Sequence, residues 1–143
     1  MEFKLLGDET NIVIKVIGRQ HPDATDYWDG NWIFSIINIE IPGYSVEFPA
    51  SLRTDEIFSF MEELKNLDET LKGKASFKNM EDFIVLEAEV DLTGKVMWTG
   101  ETCYPLGTGA VLKFDFESDQ SYLKYIIKEL KAILEEIPVI GKP

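Results

Sequence analysis

Two apolar stripes of helical period, each preceded by runs of period two, constrain this chain more than any other feature. Ile57, Phe60, Met61, Leu64, Leu67 and Leu71 recur at intervals of three and four, so a helix over about Thr54 to Leu71 puts them on one face. Thr54 is placed to cap it, Asp55 and Glu56 suit the positive end of its dipole, and Gly73 follows its end. Leu123, Ile126, Ile127, Leu130, Ile133, Leu134 and Ile137 repeat the pattern over about Asp119 to Ile137. Ser118 or Asp119 is the expected cap there, and Pro138 ends the helix. Stripes this regular must be buried against another layer, and the remaining segments supply one.

Those segments read as strands. Asn11 to Arg19 sets Ile12, Ile14 and Val16 against Val13, Lys15 and Ile17. Asn31 to Ile41 is rich in Ile and aromatics and is expected to be covered on both faces. Tyr44, Val46 and Phe48 face one way and Glu47 the other. Phe83 to Leu92 puts Ile84, Leu86, Ala88 and Val90 opposite Glu87, Glu89 and Asp91. Lys95 to Tyr104 and Gly109 to Glu117 continue the alternation, with Leu112, Phe114 and Phe116 facing in. Phe3 to Leu6 and Lys74 to Lys78 are shorter candidates, and Asp91-Leu92-Thr93-Gly94 reads as a hairpin turn. The expected fold is α+β in the order ββββα-ββββα. It is a mainly antiparallel sheet of about 6–8 strands with two amphipathic helices packed on it. An offset of 66 residues aligns Ile57 with Leu123, Met61 with Ile127, Leu64 with Leu130 and Trp32 with Trp98, as a duplication would.

A chain of 143 residues, 45% apolar and 12% aromatic, has the size and material for one domain spanning 1–143 with its own core. The N-terminus lacks the apolar run of a signal peptide, and no stretch has the length of a membrane span. With one cysteine, Cys103, no internal disulfide can form, which fits the cytoplasm. Cys103 lies in a strand without a basic neighbour and reads as a small core residue.

Charge narrows the function classes. The net charge is −12, and residues 23–70 hold eleven acids against two bases, Arg53 and Lys65, so they carry −9 of it. Such a surface repels nucleic acid and anionic membrane and attracts a basic protein. Acidity of this kind also serves plain solubility. Catalytic machinery is not evident. His21 is the sole histidine and sits in a loop, no serine occupies a nucleophile elbow, and no glycine-rich loop leads from a strand into a helix. No catalytic residue, cofactor or metal site is assigned, and the expectation is a binding protein, not an enzyme.

One loop stands apart: His21-Pro22-Asp23-Ala24-Thr25-Asp26-Tyr27-Trp28-Asp29-Gly30-Asn31-Trp32. Three readings are open. Its aspartates, spaced by three, could hold calcium, although the spacing is not that of an EF-hand. The loop could be structural, with Asp and Asn bonding their own backbone and Trp28 and Trp32 anchoring it to the core. Or it could be a binding face, where aromatics between carboxylates suit Arg or Lys of a partner through ion pairs and cation–π contacts.

Asp26-Tyr27-Trp28-Asp29-Gly30-Asn31-Trp32, Asp119-Gln120-Ser121-Tyr122-Leu123 and Ile137-Pro138-Val139-Ile140-Gly141 resemble the WapI-like immunity proteins of bacteria, at similar places in chains of similar length. The resemblance implies function by binding: protection of a bacterium from the toxic C-terminal domain of a contact-dependent toxin. In the namesake pair of such polymorphic toxin systems that domain is a nuclease acting on tRNA. It implies a basic toxin domain as partner and assigns no contact residue, while the negative charge argues against nucleic acid or membrane as partners. From charge and exposure the contact candidates are Asp23, Asp26, Tyr27, Trp28, Asp29, Glu56, Glu62 and Glu63. The rival readings are a small metal-dependent hydrolase using Asp23, Asp26 and Asp29, and an accessory subunit of a protein assembly.

Overall fold

A computed structural model describes residues 1–143. The eight strands form two four-stranded antiparallel sheets. The first comprises β1 (Glu2–Gly7), β2 (Thr10–Arg19), β3 (Trp32–Ile41) and β4 (Tyr44–Arg53), in that spatial order. The second comprises β5 (Lys74–Phe77), β6 (Ile84–Val90), β7 (Lys95–Tyr104) and β8 (Ala110–Asp119). Helices α2 (Thr54–Thr70) and α3 (Tyr122–Glu136) follow β4 and β8, and a single turn, α1 (Tyr27–Gly30), interrupts the loop between β2 and β3. The α+β class, the antiparallel pairing and the order ββββα-ββββα are as the sequence indicates. The division into two sheets has a simple cause. A helix about 10 Å wide covers roughly two strands spaced about 4.8 Å apart, so two helices cannot cover eight strands. Two sheets turning their apolar faces to a common interior leave far less apolar surface wet.

That interior is one cluster of buried side chains drawn from both sheets and both long helices. At its centre Phe3 of β1 meets Phe77 of β5 with ring centroids 5.9 Å apart, and Phe60 of α2 lies 5.3 Å from Phe77. Trp98 of β7, fully buried, lies 6.3 Å from Phe60 and donates its indole N–H to the Ser118 hydroxyl at 3.1 Å. Ser118 is therefore a core partner, and the α3 cap falls at Ser121, two residues past the nearest sequence candidate, Asp119. Asp119 closes β8 and accepts from the Ser121 amide. The α2 cap also moves: Arg53 is the N-cap, and Thr54 is a buried first helical residue.

Each helix serves the other half's sheet. α2 packs along β5, and α3 along β1. β1 and β5 are the first strands of their sheets, and their outer edges would otherwise be open. A glutamate from each helix reaches the edge: Glu63 accepts from the Ser76 amide (3.3 Å), and Glu129 from the Lys4 amide (3.1 Å). These glutamates stand 66 residues apart, the offset that aligns the two stripes. Covered edges cannot recruit further strands. Trp32 and Trp98 do not correspond, because Trp98 points into the core while Trp32 lies on the outer face of the first sheet.

Two expectations fail by packing. β3 is buried on one face only, with Phe34 55% exposed on the other. Cys103 lies on the outer side of β7, half-buried, and is not a core residue. Asp91 does build its turn, accepting from the amides of Thr93 and Lys95 and from the Thr93 hydroxyl.

Candidate functional site

The aspartate-tryptophan loop is organised around a side chain that its own sequence does not contain. Arg53 ends β4 paired with Trp32 of β3, and alternation points it to the outer face of the first sheet. There the loop folds over it, leaving Arg53 only 1% exposed. Its guanidinium carbon lies 4.8 Å from the Trp32 ring centroid, 5.2 Å from Tyr27 and 5.6 Å from Trp28. Its nitrogens donate to the carbonyls of Trp28 (2.6 Å) and Tyr27 (2.8 Å) and to the Asp55 carboxylate (2.9 Å). A planar fork with several donors and a stackable face fits this cage, where an ammonium would not. Burial first, and the nearby Asp55 carboxylate second, push the Tyr27 phenol above its ordinary value.

Asn31 locks the loop to the C-terminus. Its amide nitrogen donates to the carbonyls of Tyr27 and Ile140, each at 2.9 Å. Its oxygen accepts from the Ile140 amide (3.0 Å) and the Thr54 hydroxyl (2.7 Å). Arg19 adds bonds to the carbonyls of Gly30 and Pro138. The close approach explains two glycines. A Cβ on Gly30 would lie 2.4 Å from Ile140 Cδ1, and one on Gly141, at φ +69°, would lie 2.6 Å from the Tyr27 amide nitrogen. The motifs around residues 26–32 and 137–141, 109 residues apart at Asn31 and Ile140, are thus two sides of one joint.

Of the contact candidates, Asp23, Asp26, Trp28 and Asp29 lie exposed at this joint, and Tyr27 is half-buried. Asp26 caps α1, accepting from the Asp29 amide at 3.0 Å. No three of the chain's His, Cys, Asp and Glu side chains are grouped to hold a metal ion, so the aspartates spaced by three do not converge as a calcium ligand set would. The α2 candidates are placed differently. Glu56 accepts from the amides of Arg53 (2.8 Å) and Met80 (2.6 Å), and burial pushes its carboxyl up to about 7. Glu63 is bound to the β5 edge, and Glu62 faces solvent with Lys65 at 3.4 Å. The expectation that Trp28 anchors the loop to the core is wrong: Trp28 is 55% exposed, and the anchor is Arg53. Arg53 also occupies the aromatic cage that was expected to take a partner's cation. Its one visible signal was its isolation, as the sole Lys or Arg between Arg19 and Lys65.

Comparison with known proteins places this joint in context. No curated protein matches the sequence. Among solved structures, the chain is similar to the plant transcriptional regulator PBF-2, with a TM-score of 0.57 at 7% identity over 96% of this chain and 89% of that one. It is also similar to MRP1/MRP2 of Trypanosoma bruciei, with a TM-score of 0.53 at 9% identity over 94% and 84%. At these identities the likeness is one of fold alone. The family comparison goes further: residues 4–138, from β1 to the proline that follows α3, match the model of the Immunity protein WapI-like family, and the chain belongs to that family.

Proposed function

We propose that this chain protects its cell by binding the basic C-terminal domain of a contact-dependent toxin in the cytoplasm and blocking it. Family membership over residues 4–138 supports an immunity role. The toxin domain is of the nuclease type, whose substrate channel must be basic to hold a polyanion, and an acidic partner can occupy such a channel. The observation that carries the electrostatic part is the fate of Arg53. The segment 23–70 already counts −9, and one of its two bases is withdrawn from solvent into the aromatic cage, while Asp23, Asp26 and Asp29 stay exposed. The protein acts by occlusion and field, with no bond made or broken. No helix is long and apolar enough to cross a membrane.

Calorimetric titration of this chain with the toxin domain encoded beside it tests the proposal. Tight binding is expected at low salt, weakening as ionic strength rises through the range where the Debye length falls below about 10 Å. A titration without heat or affinity at low salt overturns it.

A further inference from the structure

The two sheets of this molecule act as each other's control. They are built alike, and each buries one face in the common core, yet their outer faces differ. On the second sheet the outer cross-strand row runs Glu87, Thr99, Asp115, and the next runs Val85, Glu101, Lys113. That is the ordinary solvated face of an antiparallel sheet. On the first sheet the corresponding rows run Gly18, Phe34, Ser51 and Lys15, Ile36, Pro49. The fold does not require an aromatic there, since the outer face of the second sheet carries Val85, Met97 and Val111 among its polar residues but no aromatic ring.

The apolar side chains also stand out from the surface. Phe34 is 55% exposed and Ile17, in the bulge of β2 opposite it, is 58% exposed. Phe34 is flanked by Gly18 and Ser51, both small. Nothing lies within 4 Å of where a Gly18 Cβ would be, so the space above Gly18 is open. Trp28, equally exposed, extends the patch over the Arg53 cage. Contiguous exposed apolar surface with a charged border marks an interaction site. The border is acidic: Asp23, Asp26 and Asp29 at the Trp28 end and Glu47 toward the other, against Lys15 alone on the central strands, because Arg19 and Arg53 are spent on backbone carbonyls.

Resting on the immunity reading, we infer that the toxin domain docks on the outer face of the first sheet. Phe34 and Ile17 form the central knob, Trp28 extends it, and the loop aspartates form an anionic rim that selects a basic partner. A second copy of this chain is disfavoured as occupant, since two such rims would repel. The outer face of α2, where Glu56 and Glu63 are committed to backbone amides, is not the main contact.

The test is calorimetry of the full-length chain with a catalytically inactivated form of the adjacent toxin domain, alongside sedimentation of the free chain. Phe34→Lys is expected to weaken binding by at least about 30-fold, the loss typical of a central contact residue. Ile17→Lys, at a 58% exposed bulge position, serves if Phe34→Lys fails to fold. Thr99→Lys on the second sheet should leave affinity unchanged. Wild-type affinity retained by folded Phe34→Lys and Ile17→Lys overturns the docking surface and spares the immunity reading. A wild-type dimer that Phe34→Lys converts to monomer also overturns it, by assigning the patch to self-association. A wild-type chain that does not bind the toxin overturns the immunity reading itself, and the surface with it.

Discussion

Replacing Arg53 by Met would leave Asp55 and the Trp28 carbonyl without their donor and the Tyr27 carbonyl with Asn31 alone, around a position that is 1% exposed. Breaking a buried charge network of this kind costs about 3–5 kcal/mol, so the urea midpoint should fall steeply. Arg53→Lys should recover only part of that loss, since an ammonium cannot bond both carbonyls and stack at once. Glu56 carries the residue-scale pH dependence. Its folded value of about 7 lies above the ordinary 4.5 because the carboxylate is buried. Between those values the folded chain holds a proton that the unfolded chain has released. Its contribution to stability therefore grows as pH falls from about 7 toward 4.5, and burying the charged form opposes folding above that range. Glu56→Gln should remove this gain on acidification. Urea midpoints of the two proteins at pH 5 and pH 8 check the sign, and an unchanged difference between those midpoints would place the titration elsewhere.

Among the elements, the C-terminal strap depends on one side chain. Asn31 both donates to and accepts from Ile140, a pattern only an amide supplies. Asn31→Asp would aim a buried carboxylate at the carbonyls of Tyr27 and Ile140, and a loss of about 3 kcal/mol or more is expected. Limited proteolysis should then cut within residues 138–143 before any global unfolding. Helix placement follows the same long-range logic. Nothing within residues 54–70 says that α2 belongs to β5, because the apolar stripe would fit any apolar sheet face equally well. The glutamate that secures it to the Ser76 amide belongs to the face that periodicity assigns to solvent. For the same reason Glu63 read as a contact candidate from sequence. A helix wheel shows which side is polar and not which backbone edge waits opposite it.

On the scale of the whole molecule, the exchange of helices between halves makes folding a joint event. A fragment of residues 1–72 would present β1 without α3 and α2 without β5, so it is expected to stay unfolded by circular dichroism. The intact chain should unfold in one transition, with far-ultraviolet and tryptophan signals coincident in urea; a separate early transition would contradict this coupling. Elements, their order, the inward faces of most strands and the unusual loop were legible in the sequence, because alternation and helical period are local consequences of backbone geometry. Segmental charge was legible too, being a count. The Arg53 cage, the joint between Asn31 and Ile140, the division into two sheets and the exposed face around Phe34 were not. Each depends on which distant segment arrives opposite a given side chain, and residue spacing along the chain carries no record of that. The sequence by itself determined what this protein is made of and that its charge is strongly acidic. Only the tertiary structure decided which of its aromatics and acids are spent on holding the fold and which are left free to meet another molecule.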